Sequence, residues 1–176
     1  MLIPPLPYNL RPMLLSDVDA VMAIDRQAFP TPTKDTVLRY ELSQNELAHY
    51  QVLSIAETII GYAGYWLLAD ECHISTIATD SHWRRRGLGE LLLLNMLFLA
   101  NGQAAQLATL EVRQSNLIAQ ALYQKYQFAI VGERRRYYKD TGEDALIMTT
   151  GALDGRYYQF LQQQQTALFA RLQNED

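Results

Sequence analysis

The longest apolar run of the chain, LLLLNMLFLA from Leu91 to Ala100, predicts a long hydrophobic helix. It is preceded by HISTIATD, in which β-forming residues alternate imperfectly, as in a strand that is covered on both faces. A tract of arginines and glycines, RRRGLGE, joins the two segments. This order predicts a strand, a glycine-containing turn and a helix that ends near Gly102.

The N-terminal part of the chain predicts one strand, two helices and then three strands. Residues 1–7 are proline-rich and predict a loose tail. YNLRPML predicts a short strand, and SDVDAVMAIDRQAF and KDTVLRYELSQN predict helices, which the intervening PTPT separates because proline breaks the helical ladder. HYQVLSIAE, IIGYAGYWLLAD and ECHISTIATD predict the three strands that lead to the glycine turn.

The C-terminal part predicts a strand, a helix, two strands and a last helix. QLATLEVR predicts the first strand, NLIAQALYQKYQF a helix capped by Ser115 or Asn116, and AIVGERRRYYKDTGEDALIMTT two strands around a KDTGED turn. The whole order predicts one mixed α/β sheet with helices packed on it. We assign residues 1–150 to this domain and 151–176 to a C-terminal helical extension, which either packs back on the domain or contacts a partner or a second copy.

Composition and charge narrow the class of protein. The 176 residues are 49% hydrophobic and 19% charged, which suits one folded domain. The net charge of −4 disfavours a general nucleic-acid binder. Cys72 is the single cysteine, which favours a reducing compartment, and neither a signal peptide nor a membrane-spanning run is evident. We therefore expect a cytoplasmic protein that binds no membrane, and the scattered His49, His73 and His82 predict no metal site.

The arginine and glycine tract has two interpretations. Gly87 and Gly89 allow positive φ and close approach of a ligand, and the unpaired N–H groups of a helix N-terminus attract anions, as do Arg85 and Arg86. The alternative is an ordinary strand-to-helix turn with solvated arginines. Glu90 in the first turn would repel a phosphate, so the backbone would have to do the binding.

Residues 71–149 resemble the GNAT acetyltransferase superfamily and, within it, the RimI-type ribosomal-protein-alanine N-acetyltransferases. ISTIATDSHWRRRGLGELLL contains the acetyl-CoA signature Arg/Gln-x-x-Gly-x-Gly/Ala, and LEVRQSNLIAQALYQKYQF and RRRYYKDTGEDALIM are more specific to the N-terminal acetyltransferase branch. The resemblance implies the GNAT fold, a single mixed and mostly antiparallel sheet flanked by helices. It also implies acetyl-CoA as co-substrate and no metal. The last twenty or so residues, which predict the extra helix, fall outside it.

The resemblance also implies which residues hold the cofactor. The turn would cradle the pyrophosphate of acetyl-CoA, and the end of the preceding strand would line its acetyl and pantetheine arm. The implied cofactor-binding residues are Ile77, Ala78, Thr79, Arg85, Arg86, Gly87, Leu88, Gly89, Glu90 and Asn116.

Two residues are candidates for proton transfer. Alternation in ATLEVRQ puts Glu111 on the opposite strand face from Leu110 and Val112, and the resemblance implies that Glu111 is the general base. Its alternative is a surface glutamate paired with Arg113 or a neighbouring strand. The resemblance implies that Tyr123, on the next helix, is the general acid; the alternative is a core tyrosine, a role for which Tyr126 is the more natural candidate.

Further residues are implied for the acceptor peptide: Phe29 and Pro30 for the pocket of its first side chain, and Tyr137 and Tyr138 at the peptide entrance, although aromatic packing on a hairpin would explain the tyrosines equally well. Thr33 stands where such proteins often carry a tryptophan, which puts the first-residue preference in doubt. The run from Arg134 to Arg136 either attracts a partner or is a solvated strand edge.

The chemistry favours an N-terminal amine as acceptor. An α-amine with a pKa of about 8 is about a tenth neutral at pH 7, whereas a lysine with a pKa of about 10.4 is neutral to about four parts in ten thousand. We therefore expect acetylation of a protein N-terminus, with N-terminal alanine of ribosomal protein S18 suggested by resemblance, by a monomer or weak dimer. A lysine or small-amine acetyltransferase and a non-catalytic acyl-CoA sensor remain alternatives.

Overall fold

One sheet of seven strands forms the centre of the computed structural model, which describes residues 1–174. In chain order the strands are β1 (Tyr8–Pro12), β2 (Ala48–Ile55), β3 (Thr58–Leu68), β4 (Glu71–Thr79), β5 (Leu107–Arg113), β6 (Ala129–Tyr138) and β7 (Glu143–Thr149). They lie side by side in the order β1-β2-β3-β4-β5-β7-β6. Strands β4 and β5 are parallel and the other neighbours are antiparallel, which confirms the predicted mixed and mostly antiparallel sheet.

Helices cover both faces of the sheet and follow the predicted order. They are α1 (Val18–Ala28), α2 (Asp35–Gln44), α3 (Leu88–Gly102), α4 (Leu117–Lys125) and α5 (Gly155–Gln173). Helices α1 and α2 enclose a smaller apolar cluster on one face, and α3 and α5 contribute to a larger cluster on the other. In β5, Leu110 and Val112 belong to the larger cluster, so Glu111 lies on the face of α1 and α2, as the alternation predicts.

Helix α3 is the most deeply buried element because apolar residues surround its axis. Asn95, the polar residue within its apolar run Leu91–Ala100, is fully buried and satisfied: its amide donates to Gln51, and its Oδ1 accepts from the Leu2 backbone N–H at 2.7 Å. The prediction of a loose N-terminal tail is therefore wrong, since Leu2 is bonded to the central helix and packs against the larger cluster.

Helix α5 packs on the domain that precedes it. The Asp154 carboxylate caps its first turn by accepting from the N–H groups of Arg156 and Tyr157 at 3.0 Å each. One apolar face of α5, formed by Tyr157, Leu161, Leu168 and Leu172, is buried in the larger cluster, with Leu161 and Leu168 completely inaccessible. Residues 175–176 of the predicted extension lie outside the described residues. None of the helices within residues 1–174 is long and apolar enough to cross a membrane.

Candidate active site

A gap between β4 and β5 opens at the centre of the sheet. The two strands pair only from Glu71 with Leu107 to Ile74 with Leu110. At Ser75, β4 has a bulge, because Gly64 and Tyr65 of β3 pair with Thr76 and Ile74. Beyond it β4 continues along β3 and β5 along β7, so the residues 77–79 face the gap without a strand partner on the β5 side. An extended ligand could bond to these peptide groups.

The glycine turn lies at the end of β4 and leads into α3. Gly87 caps α3 with a φ of 70°, and Arg85 also has a positive φ, of 63°. The first helical bond is from the Leu91 N–H to the Gly87 carbonyl at 2.9 Å, so the N–H groups of residues 88–90 have no acceptor within the helix. The prediction of positive φ is confirmed at Gly87 and wrong at Gly89, which lies within the helix.

Gly89 has ordinary helical backbone geometry and leaves open space beside the first turn of α3. A Cβ atom built there would meet no other atom within 4 Å, so the first turn of α3 is open to a ligand. Open N–H groups, two residues in left-handed geometry and the nearby guanidinium of Arg86, which lies 4.7 Å from the Trp83 ring, fit an anionic group such as a diphosphate.

The side chain of Glu90 is held by groups from two other helices. Its Oε1 accepts from Lys125 Nζ at 2.5 Å and from the Tyr126 hydroxyl at 2.9 Å, and its Oε2 accepts from Arg171 Nη2 at 2.7 Å. Burial raises the pKa of Glu90, but these hydrogen bonds outweigh burial and the net pKa is lowered. We call Glu90, Lys125, Tyr126 and Arg171 the Glu90 cluster. Its cations offset the repulsion that a lone Glu90 would exert on a phosphate.

Glu111 is held on the other face of the sheet, beside the gap. His73 Nε2 lies 2.8 Å from its Oε2, and Arg134 Nη2 lies 3.1 Å from its Oε1. Its side chain is 8% exposed, so the alternative of a surface glutamate paired with Arg113 is wrong. Arg113 instead pairs with Asp140 at 2.6 Å and with Glu143 at 3.5 Å. The other part of that alternative is found, since Glu111 pairs with residues of other strands, His73 of β4 and Arg134 of β6.

Sequence reasoning missed His73. Its partner Glu111 is 38 residues away, and their bond depends on the parallel pairing of β4 with β5, in which His73 lies opposite Thr109. The available signal was that both side chains alternate away from the apolar residues of their strands. Of the arginine run, Arg134 bonds Glu111 while its side chain is 53% exposed on the edge strand β6, which agrees with a solvated edge.

Tyr123 lies on α4, with its ring centroid 5.8 Å from that of Phe128. Burial raises its pKa above the ordinary value, and Tyr138 adds to this shift, so the phenol stays protonated. No other group within residues 1–174 hydrogen-bonds to its hydroxyl. Tyr126 is the fully buried core tyrosine, as expected. Asn116 caps α4 by accepting from the Ala119 N–H at 3.1 Å.

Tyr138 interacts electrostatically with both candidate catalytic groups, Glu111 and Tyr123. Burial raises the pKa of Tyr138 to about 12, and Glu111 is among the charges that contribute. The Arg113 guanidinium lies over the Tyr138 ring, 3.9 Å from its centroid, and the Tyr137 ring packs edge-on against it with 5.2 Å between the ring centroids. Tyr138 is thus near both Glu111 and Tyr123, while the ring contacts equally fit aromatic packing on the hairpin.

Two loops meet over this face of the sheet. Phe29 ends α1 half-buried and Pro30 is exposed in the loop before α2. The Thr31 side chain of this loop hydrogen-bonds to Asp140 in the β6–β7 turn and lowers the Asp140 pKa, although the Arg113 hydrogen bond is the larger cause. The structure therefore brings the Phe29 and Pro30 loop to the hairpin that carries Tyr137 and Tyr138.

A cavity of about 230 Å³ lies on this face between α2 and the sheet. The Trp66 ring lines it and lies 5.8 Å from the His73 ring, which links the cavity to Glu111. Trp66 Nε1 donates to Glu41 at 2.7 Å. The other lining residues are Thr33, Val37, Leu38, Tyr50, Tyr62, Ser75 and Thr76. Within residues 1–174, no three His, Cys, Asp or Glu side chains gather to hold a metal ion.

Known proteins are similar to this chain in both sequence and fold. A Bacillus subtilis (strain 168) protein, provisionally named as a ribosomal protein bS18-alanine N-acetyltransferase, is 41% identical over 140 residues, which are 79% of this chain and 92% of that protein. The crystal structure of the ribosomal-protein-S18-alanine N-acetyltransferase from Escherichia coli superposes with a TM-score of 0.77 at 28% identity, covering 84% of this chain and 94% of that one.

A more distant structure shares the fold alone. The PaiA N-acetyltransferase from Thermoplasma acidophilum, solved in complex with coenzyme A, has a TM-score of 0.69 at 13% identity and covers 82% of this chain and 98% of its own. The sequence profile of the Acetyltransferase (GNAT) family matches residues 18–128, which include the gap, the glycine turn, Glu111 and Tyr123. The chain therefore belongs to the GNAT family of acetyltransferases.

Proposed function

We propose that this protein transfers an acetyl group from acetyl-CoA to the α-amine of a protein N-terminus. The observation that supports this most is the position of Glu111: a carboxylate held by His73 and Arg134 beside the gap between β4 and β5. A nearly inaccessible carboxylate at the border of this gap is suited to accept a proton from an amine that enters from the sheet face covered by α1 and α2.

The cofactor would lie in the gap and against the glycine turn. Residues 77–79 would offer peptide groups to its pantetheine arm, and the N–H groups of Leu88, Gly89 and Glu90, which have no acceptor within the helix, would bind its diphosphate. Arg85, Arg86 and Gly87 complete the turn. Asn116 would contact the cofactor with its amide N–H₂ group, because its oxygen caps α4. Acetyl-CoA supplies the activated thioester.

The proposed reaction needs two proton movements, which we assign to Glu111 and Tyr123. As the amine nitrogen forms its bond to the thioester carbon, Glu111 accepts the amine proton, directly or through water. As the carbon–sulfur bond breaks, Tyr123 donates its hydroxyl proton to the sulfur. The burial that raises the pKa of Tyr123 also disfavours a free thiolate beside it, so the transfer is better matched than ordinary solution pKa values suggest.

The acceptor would be a peptide backbone that enters between the two loops. Phe29 and Pro30 would bound the first side chain, and Tyr137 and Tyr138 would flank the entrance. The Bacillus subtilis and Escherichia coli relatives are named as ribosomal protein S18-alanine N-acetyltransferases, and we propose the N-terminal alanine of such a protein as the substrate class here. Such a substrate implies the cytoplasm. We retain the division into a catalytic domain of 1–150 and a helical extension of 151–176. We propose that the protein is active as a monomer or a weak dimer.

The test uses three peptides that begin with the same residues as an S18 N-terminus. One has a free α-amine and no lysine, one has a blocked α-amine and a lysine, and one has neither amine. We expect acetyl transfer, read by mass spectrometry and by release of free coenzyme A, with the first peptide alone. Transfer to the blocked peptide would favour a lysine acetyltransferase, and tight coenzyme A binding without transfer to any acceptor would favour the acyl-CoA sensor.

A further inference from the structure

The C-terminal helix α5 reaches the glycine turn. It lies outside residues 18–128, which carry the family profile, yet its last turns pack on the start of α3. A Cβ atom at Gly87 would lie 3.2 Å from Leu168 Cδ1, 3.7 Å from Leu172 Cδ2 and 4.0 Å from Arg171 Nη2. The Arg171 guanidinium is therefore beside the same turn whose N–H groups have no acceptor within the helix.

Arg171 also neutralises the one carboxylate in that turn. Each oxygen of Glu90 has its own cation, Lys125 on Oε1 and Arg171 on Oε2. The Glu90 side chain is 9% exposed, so its charge acts at short range through a medium that screens poorly. With Arg171 absent, a bound diphosphate would face a carboxylate offset by Lys125 alone.

We propose that Arg171 is a positioning residue for acetyl-CoA, which sustains cofactor affinity by cancelling the charge of Glu90 at the mouth of α3. The helical extension is then a part of the cofactor site that the family core does not supply. This inference rests on the proposed cofactor site, and it concerns cofactor affinity, whereas the nature of the acceptor amine is a separate question.

The test is a mutant cycle of Arg171→Gln, Glu90→Gln and the double variant, with Arg171→Lys as the conservative change. The matched control is Arg156→Gln, an exposed arginine at the other end of α5. Affinity for coenzyme A is measured by calorimetry, acetyl-CoA kinetics give KM and kcat, and thermal melting checks the fold of each variant.

We expect Arg171→Gln to weaken coenzyme A binding about tenfold at about 50 mM NaCl and less at about 500 mM, because salt screens the diphosphate as it approaches Glu90 from solvent. The KM for acetyl-CoA should rise in parallel with kcat unchanged. Glu90→Gln in the Arg171→Gln background should restore affinity to within about twofold of wild type, since no charge is left to cancel. Arg171→Lys should keep most of the affinity, and Arg156→Gln all of it.

Wild-type affinity in Arg171→Gln would overturn the proposal. So would a double variant as weak as the single one, because the loss of affinity would then not come from the charge of Glu90. Coenzyme A binding that follows this cycle in a protein inactive on every peptide would refute the proposed function and leave the role of Arg171 intact. Absence of coenzyme A binding in the wild type would refute both.

Discussion

Glu90 at the glycine turn and Glu111 beside the gap between β4 and β5 are glutamates with nearly inaccessible side chains, and they differ in what holds them. Their side chains are 9% and 8% exposed. Glu90 lies under α4 and α5 and contacts two cations and a phenol. Glu111 lies on the sheet and contacts a histidine and one half-exposed arginine. Burial is the same, whereas the number of permanent positive charges is not.

This difference separates two uses of the same side chain. Two fixed cations stabilise the charged form of Glu90, and its lowered pKa makes it a poor proton acceptor. Glu111 has one permanent positive charge beside it, on Arg134 of the edge strand with a side chain that is 53% exposed, and its other partner is the imidazole of His73. A shielded carboxylate is thus better suited to base catalysis when few permanent positive charges hold it.

The largest expected effect is that of Glu111→Gln. The amide keeps the shape but cannot accept the amine proton, so kcat should fall by about 10²–10⁴ while coenzyme A affinity changes little. Steady-state kinetics with an S18-like peptide and calorimetry with coenzyme A measure the two quantities. The matched control is Glu133→Gln on the edge strand β6, where the carboxylate is half-exposed and pairs with Arg135. Equal turnover in the two variants would refute the assignment of the base.

Tyr123→Phe should have the next largest effect. Loss of the hydroxyl removes the proton for the leaving sulfur, and kcat should fall about 10²-fold. Because the pKa of Tyr123 is raised, the phenol should not ionise below its ordinary value of 10.0, and activity should show no alkaline loss from this group below that pH. The control is Tyr158→Phe, a half-exposed tyrosine of α5. Turnover in Tyr123→Phe equal to that of Tyr158→Phe would contradict the assignment of the acid, and an alkaline loss of activity near neutrality that disappears in Tyr123→Phe would contradict the raised pKa.

Local patterns were enough to predict the order of strands and helices, the strand face of Glu111 and the positive φ at Gly87. The apolar run from Leu91 predicts α3, and alternation in β5 predicts the face of Glu111, because both depend on neighbours within one element. The positive φ at Gly87 is equally local, since the strand-to-helix turn requires it.

The missed features depend on contacts between distant residues. The His73–Glu111 bond requires the register of β4 on β5, and the Arg171–Glu90 bond joins residues 81 positions apart through the docking of α5. The N-terminal tail has polar partners only once α3 presents Asn95. No periodicity encodes such pairings, which appear when the sheet and the helices are assembled.

Thr33→Trp should change substrate choice with a smaller effect. Thr33 lines the cavity of about 230 Å³, which is linked to Glu111 through Trp66 and His73. An indole there would fill space that a long first side chain could use, so kcat/KM should fall about tenfold for peptides that begin with leucine or methionine, and little for alanine. Thr36→Trp, at an exposed position of α2, is the control. Equal losses on all peptides would show that the cavity does not hold the first side chain.

The smallest effect tests Glu90 by acid unfolding. Because the folded pKa of Glu90 is below its ordinary value of 4.5, its charge stabilises the fold above that pH, and this contribution is lost as the pH falls through 4.5 towards the folded pKa. Glu90→Gln should therefore be less stable than wild type by about 1 kcal/mol at pH 7, and the difference should shrink as the solution is acidified. Urea unfolding across this range measures it, and half-exposed Glu133→Gln should show a much smaller pH-dependent difference. If Glu90→Gln instead differs from wild type by a constant amount at every pH, the two cations do not hold the carboxylate charged. The contrast with Glu111 would then have to rest on position in the fold and not on charge.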